Sequence, residues 1–117
     1  SNSMYLNNLA NTLRLSGKLD QAVNVLQDSL KLNSAGMGTY FNLGLVYKDL
    51  KENKKALDFF KKSIQVNPAL TEAHFQIAQI FLAMKNGNAA LKSIEKAIEF
   101  SPTNQTYQEL REKILAL

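Results

Sequence analysis

Residues 40–68, YFNLGLVYKDLKENKKALDFFKKSIQVNP, decide the fold. Tyr40, Leu43, Tyr47 and Leu50 recur at spacings of three and four, which sets them in one stripe along a helix. Lys51-Glu52-Asn53 interrupts that stripe. Ala56, Leu57, Phe60 and Ile64 then begin a second one. Asn67-Pro68 stops it, because proline has no amide hydrogen and disfavours helix in the residue before it.

The unit recurs on both sides. Displaced by 34 residues, Pro68 falls on Pro102, and Ala22, Ala56 and Ala90 coincide. So do Leu13, Tyr47 and Phe81; Leu9, Leu43 and Ile77; and Leu30, Ile64 and Ile98. A helical pattern with this period needs two helices, A and B, in each unit. The spacing predicts A/B pairs near 4–16/19–32, 38–50/53–66 and 70–84/88–100, with a final helix near 104–116. Ser16-Gly17 is the expected turn of the first pair, and Asn86-Gly87-Asn88 that of the third, with glycine supplying the permissive backbone.

These residues resemble the tetratricopeptide repeat, whose pattern runs large residue, leucine, glycine and aromatic in helix A, then alanine, aromatic, alanine and proline in helix B. The middle unit supplies Tyr40, Leu43, Gly44, Tyr47, Ala56, Phe60, Ser63 and Pro68. The third supplies His74, Ile77, Ala78, Phe81, Ala90, Ile94, Ala97 and Pro102. The first is a looser match, with Leu6, Leu9, Ala10, Leu13, Ala22, Leu26, Ser29 and Ser34. The resemblance covers about residues 3–104 and implies an all-α right-handed solenoid. It would form one domain over 1–117, with repeats at about 3–36, 37–70 and 71–104 and a capping helix at 105–117. Small residues at Ala10, Gly44 and Ala78, and opposite them at Ala22, Ala56 and Ala90, suit a close helix crossing. Tyr107, Leu110, Ile114 and Leu117 form the expected inner face of the cap, and Thr106 and Glu109 have capping-box spacing. No comparable cap precedes the first repeat. Ser1-Asn2 reads as the scar of a cleaved tag, which points to an excised piece of a longer protein.

Bulk composition narrows the function classes. The 117 residues carry a net charge of +4 at a sequence pI near 9.4, with lysines interspersed among acids and amides. The chain has no cysteine, which removes disulfides, thiolate metal sites and a cysteine nucleophile, and fits a cytoplasmic location. The longest apolar run, Ile80 to Met84, is far short of the roughly 20 residues of a membrane span. His74 is the one histidine, and it reads as a packing residue. With no phosphate loop or nucleophile motif, the expectation is no enzyme activity, no cofactor and no metal. Glu95 and Glu99 read as a solvated face beside Lys92 and Lys96. Lys51, Lys54, Lys55, Lys61 and Lys62 form a basic stretch, but without interleaved exposed aromatics it is not read as a nucleic-acid surface.

The family resemblance implies that the A helices line a concave, partner-binding surface. Its register selects Met4, Asn7, Asn8, Asn11 and Arg14; Phe41, Asn42, Leu45, Lys48 and Asp49; and Glu72, Phe75, Gln76, Gln79 and Leu82. Asn8, Asn42 and Gln76 form an amide series at the repeat period, extended by Asn11 and Gln79. Carboxamides donate and accept, so they suit a peptide backbone, although they also merely tolerate solvent. The series is similar to the asparagine ladder of superhelical family members. It is also similar to the asparagines of the chaperone-binding carboxylate clamp, which would fall on Asn11 and Asn42. The clamp's basic positions fall on Asn7, Glu72 and Gln76, none of which is basic. Phe41 and Phe75, with Leu45 and Leu82 nearby, are either peptide anchors or inter-repeat packing. The expected partner is a protein or peptide, with self-association through the uncapped first repeat as the alternative.

Overall fold

A computed structural model describes residues 2–32 and 36–117, without the side chain of Met37. Among these residues there are seven helices and no strand: α1 (Asn2–Leu15), α2 (Leu19–Leu32), α3 (Met37–Asp49), α4 (Asn53–Val66), α5 (Thr71–Ala83), α6 (Gly87–Phe100) and α7 (Gln105–Leu115). Each lies within two residues of its expected bounds. Ser34, the proline-equivalent position of the first repeat, falls outside the described residues. By packing, the chain divides into two units, Ser1–Val66 and Asn67–Leu117.

The A-to-B turn is the same motif three times. Gly17, Lys51 and Lys85, spaced at the repeat period, all take positive φ, at 81°, 64° and 63°. Their amides donate to Arg14, Lys48 and Leu82 carbonyls at 3.0 Å, and the following amides donate to Leu13, Tyr47 and Phe81 at 2.9 Å. This is a Schellman ending, which satisfies carbonyls that the helix terminus would otherwise orphan. In the third turn it is therefore Lys85, not Gly87, that reverses the chain. Gly87 opens α6, and Asn86 caps it by accepting from the Ala89 amide at 3.2 Å.

In the first unit, Ala10, Ala22, Leu26, Leu43 and Val46 form a core, with Leu13, Val23, Tyr47 and Phe59 against it. Gly44 faces the ring of Phe60, which is fully buried. A Cβ at Gly44 would sit 2.6 Å from Phe60 Cε1. Phe41 tilts onto the same ring, centroids 5.5 Å apart. In the second unit, Ala78, Ala90, Ile94 and Ala97 pack with Tyr107, Leu110 and Ile114 of α7. The expected inner face of α7 thus holds, except that Leu117 is 65% exposed. The cap also differs: Asn104, rather than Thr106, accepts from the Tyr107 amide at 3.1 Å. Asparagine in extended backbone is among the strongest N-caps, so it outcompetes the capping-box pair two residues later.

Two stability outcomes follow from this geometry. Gly44→Ala gains about 1 kcal/mol of helix propensity but meets an enclosed ring, so overpacking of about 1–3 kcal/mol leaves a net loss in urea unfolding. Lys51→Gly and Lys85→Gly relieve left-handed backbone, so each should raise unfolding free energy by about 0.5–1 kcal/mol after the entropy cost of glycine.

Candidate functional site

In the first unit, α1 and α3 lie side by side, joined at both ends by polar contacts. Near their N-termini, Ser3 Oγ lies 3.0 Å from Ser29 Oγ, which lies 3.1 Å from Thr39 Oγ1. The Thr39 hydroxyl donates to Asn7 Oδ1 at 3.1 Å. Ser29 and Thr39 are buried, so this hydroxyl chain is sealed by α1, α2 and α3. Near the C-termini, Arg14 pairs with Asp49 at 3.3 Å and donates to Asn11 Oδ1 at 3.0 Å. Such a half-exposed pair is worth at most about 1 kcal/mol, but it fixes the guanidinium.

Between these ends lie the candidates. Asn8 and Asn11 are exposed, whereas Phe41, Asn42, Leu45 and Lys48 are half-buried. Both Asn7 and Asn11 have their side-chain oxygens occupied by donors, which fixes each amide plane. The Phe41 ring already rests on Phe60, so part of it is committed to packing within its own repeat.

In the second unit, Gln76 is 9% exposed and donates from Nε2 to Glu72 Oε1 at 3.2 Å. The Tyr107 hydroxyl donates to the other Glu72 oxygen at 3.4 Å. Phe75 packs on the Tyr107 ring, centroids 5.0 Å apart. Beside them opens a pocket of about 160 Å3, lined by Phe75 and Gln79 of α5 and by Thr106, Glu109, Leu110 and Lys113 of α7. Phe75 and Gln79 therefore share one concavity, while Gln76 is a buried brace. Phe75 packs against the terminal helix; that contact had no signal in the repeat period, because Tyr107 lies beyond the last repeat.

The remaining sequence candidates resolve as packing or surface. His74 is buried, its Nε2 sits 3.0 Å from the Pro68 carbonyl and its ring stacks on Phe100. Glu99 pairs with Lys96 and Glu95 with Arg111, both on an exposed face. Half-buried aromatics lie against the basic stretch. Tyr40, Phe59 and Tyr47 stack in a row, with Lys62 Nζ 5.1 Å from the Phe59 centroid and Lys55 Nζ 5.3 Å from that of Tyr47. All three rings are half-buried in the first unit, so they hold the lysine stems rather than stand open for base stacking. No helix of the described residues is long and apolar enough to cross a membrane.

Family models for the tetratricopeptide repeat match residues 39–70 and 71–104, and a TPR-repeat model matches residues 10–51. The chain belongs to the tetratricopeptide-repeat family. Tetratricopeptide repeats are a protein-interaction fold, and the three αα-hairpins have that architecture. The chain is similar to the first TPR of Spaghetti (RPAP3) bound to the HSP90 peptide SRMEEVD, with a TM-score of 0.92 and 20% identity. The match covers 97% of this chain and 90% of that one. It is similar also to the first TPR domain of human RPAP3, with a TM-score of 0.91, 20% identity and the same coverage. At that identity the likeness is one of fold. No curated protein matched the sequence.

The hydroxyl chain is open to direct test. Thr39→Val keeps the shape but strands Asn7 and Ser29, and should cost about 1–3 kcal/mol in denaturant unfolding. Ser63→Ala, at the position one repeat after Ser29, removes only a local bond to the Phe59 carbonyl and should cost less.

Proposed function

We propose that this chain is a protein-interaction module that holds a peptide or helix of a partner against its A helices. The observation that carries this reading is the set of polarised amides on α1. Asn7 and Asn11 are each fixed by a neighbour through the oxygen, so their NH2 groups are oriented without a ligand present. Ordered donors suit the carbonyl oxygens of a bound chain, and pre-ordering lowers the entropic cost of capture. Half-buried Phe41 and Leu45 offer apolar contact on the neighbouring helix.

A similar fold binds an HSP90 peptide ending in Glu-Glu-Val-Asp, which supports peptide capture as the mode. The charge does not carry over. The positions where the carboxylate clamp is basic hold Asn7, Glu72 and Gln76 here. A terminal carboxylate would meet amide donors only in the first unit, and a carboxylate at Glu72 in the second. The reading is therefore capture through backbone and apolar contacts, without a requirement for a free C-terminus.

The test is selection of binders from a random peptide library against the whole chain, followed by affinity measurement on variants. Asn11→Ala with Asn42→Ala should weaken selected peptides by about tenfold, the equivalent of about 1.4 kcal/mol, while the thermal melt stays cooperative. Unchanged affinity would sink the reading. Self-association through the first repeat is the second reading, favoured by Met4 and Tyr5, which are 63% and 66% exposed on α1. Light scattering over a concentration series decides between them, since a monomer throughout removes self-assembly.

A further inference from the structure

The α5–α7 pocket and the carboxylate beside it describe a more specific occupant. Glu72 is on the surface, yet its two oxygens are held by neutral donors, Gln76 Nε2 and the Tyr107 hydroxyl. Neither of these two partners is charged. Neutral donors order a carboxylate without cancelling its charge, and two oxygens offer about four acceptor sites, of which two are used here. The pocket rim adds Glu109 and Lys113, so the neighbourhood as a whole carries net negative charge.

The pocket floor is apolar, built from Phe75 and Leu110. Its volume of about 160 Å3 is comparable to a cavity of roughly 150 Å3 that takes a benzene-sized group. It fits one aliphatic side chain. Tyr107 ties the two features together, because its ring backs Phe75 and its hydroxyl holds Glu72. Along α5 the pocket is centred about five residues past Glu72, or roughly 7.5 Å at 1.5 Å per residue. An extended chain covers that span in about two residues, and side chains two apart point the same way.

We infer that this part of the surface binds a peptide segment carrying a lysine or arginine two residues from a leucine-sized side chain, the cation on Glu72 and the aliphatic group on Phe75 and Leu110. This rests on the reading of the chain as a peptide-binding module and gives it a charge preference opposite to that of a carboxylate clamp. Glu72 is the specificity-determining residue. Tyr107 is a positioning residue that acts through it.

The experiment titrates the isotope-labelled whole chain with three acetylated, amidated heptapeptides and follows amide shifts. The probes are Ser-Gly-Lys-Ser-Leu-Gly-Ser, its reversed-order partner Ser-Gly-Leu-Ser-Lys-Gly-Ser, and Ser-Gly-Glu-Ser-Leu-Gly-Ser. One of the two lysine peptides should shift the amides of Glu72, Phe75, Gln79, Leu110 and Lys113, and bind at least tenfold more tightly than the glutamate peptide. Glu72→Gln removes the charge but keeps a carbonyl oxygen for Gln76 Nε2 and an NH2 that the Tyr107 hydroxyl can accept from, and should erase that preference while leaving the circular dichroism spectrum unchanged. Raised salt should weaken the lysine peptide and not the glutamate peptide. Equal affinity for lysine and glutamate peptides, a preference that survives Glu72→Gln, or shifts confined to other helices would each overturn the inference. No shift with any of the three would overturn it too. The broader reading would then stand or fall on the library selection, whose variants, Asn11 and Asn42, lie on α1 and α3.

Discussion

The close approach of Gly44 to Phe60 is the contact on which the rest of the first unit depends. Helices α3 and α4 cross where one of them has no side chain, and an aromatic ring fills the space. That geometry brings Phe41 onto the same ring and orients the outer stripe of α3. Ala10 with Ala22, and Ala78 with Ala90, are the small residues of the other two crossings, all fully or almost fully buried. Interiors packed at crystal-like density do not absorb even one added methyl group freely, so the smallest residues of the sequence are among its most constrained.

Given that scaffold, the candidate surface is specified by polar neighbours more than by its own residue types. An amide on a helix can face a ligand with either end. In the first unit Thr39 and Arg14 occupy the oxygens of Asn7 and Asn11. In the second unit the bond runs the other way, and Gln76 spends an N–H on Glu72. Amides of the A helices therefore offer different chemistry in the two units. Residue identity alone does not distinguish them.

Helix periods and repeat register were legible in the sequence because both depend on side-chain size at fixed spacing. The helices fall within two residues of expectation, and the alanine and glycine positions are the crossings. What was not legible has two causes. Turn chemistry in the third repeat went to Lys85, because Schellman hydrogen bonding at a fixed register outweighs the usual preference for glycine. Contacts outside the period, such as Tyr107 with Glu72 and Phe75, carry no periodic signal at all. The row of Tyr40, Phe59 and Tyr47 was hidden differently: two helices contribute alternate rings, so no single stretch of sequence shows the stack.

The repeated left-handed turn also bears on how the chain is made. Each hairpin closes within one repeat, through hydrogen bonds to carbonyls three to five residues back and a local A/B crossing. Helical proteins rich in such local contacts fold in microseconds to milliseconds. Synthesis proceeds at about 5–20 residues per second, so adding one 34-residue repeat takes roughly 2–7 seconds. The turn and crossing of a hairpin therefore have time to form before its successor emerges, although a lone repeat cannot bury its apolar face and gains its full stability only when a neighbour stacks on it.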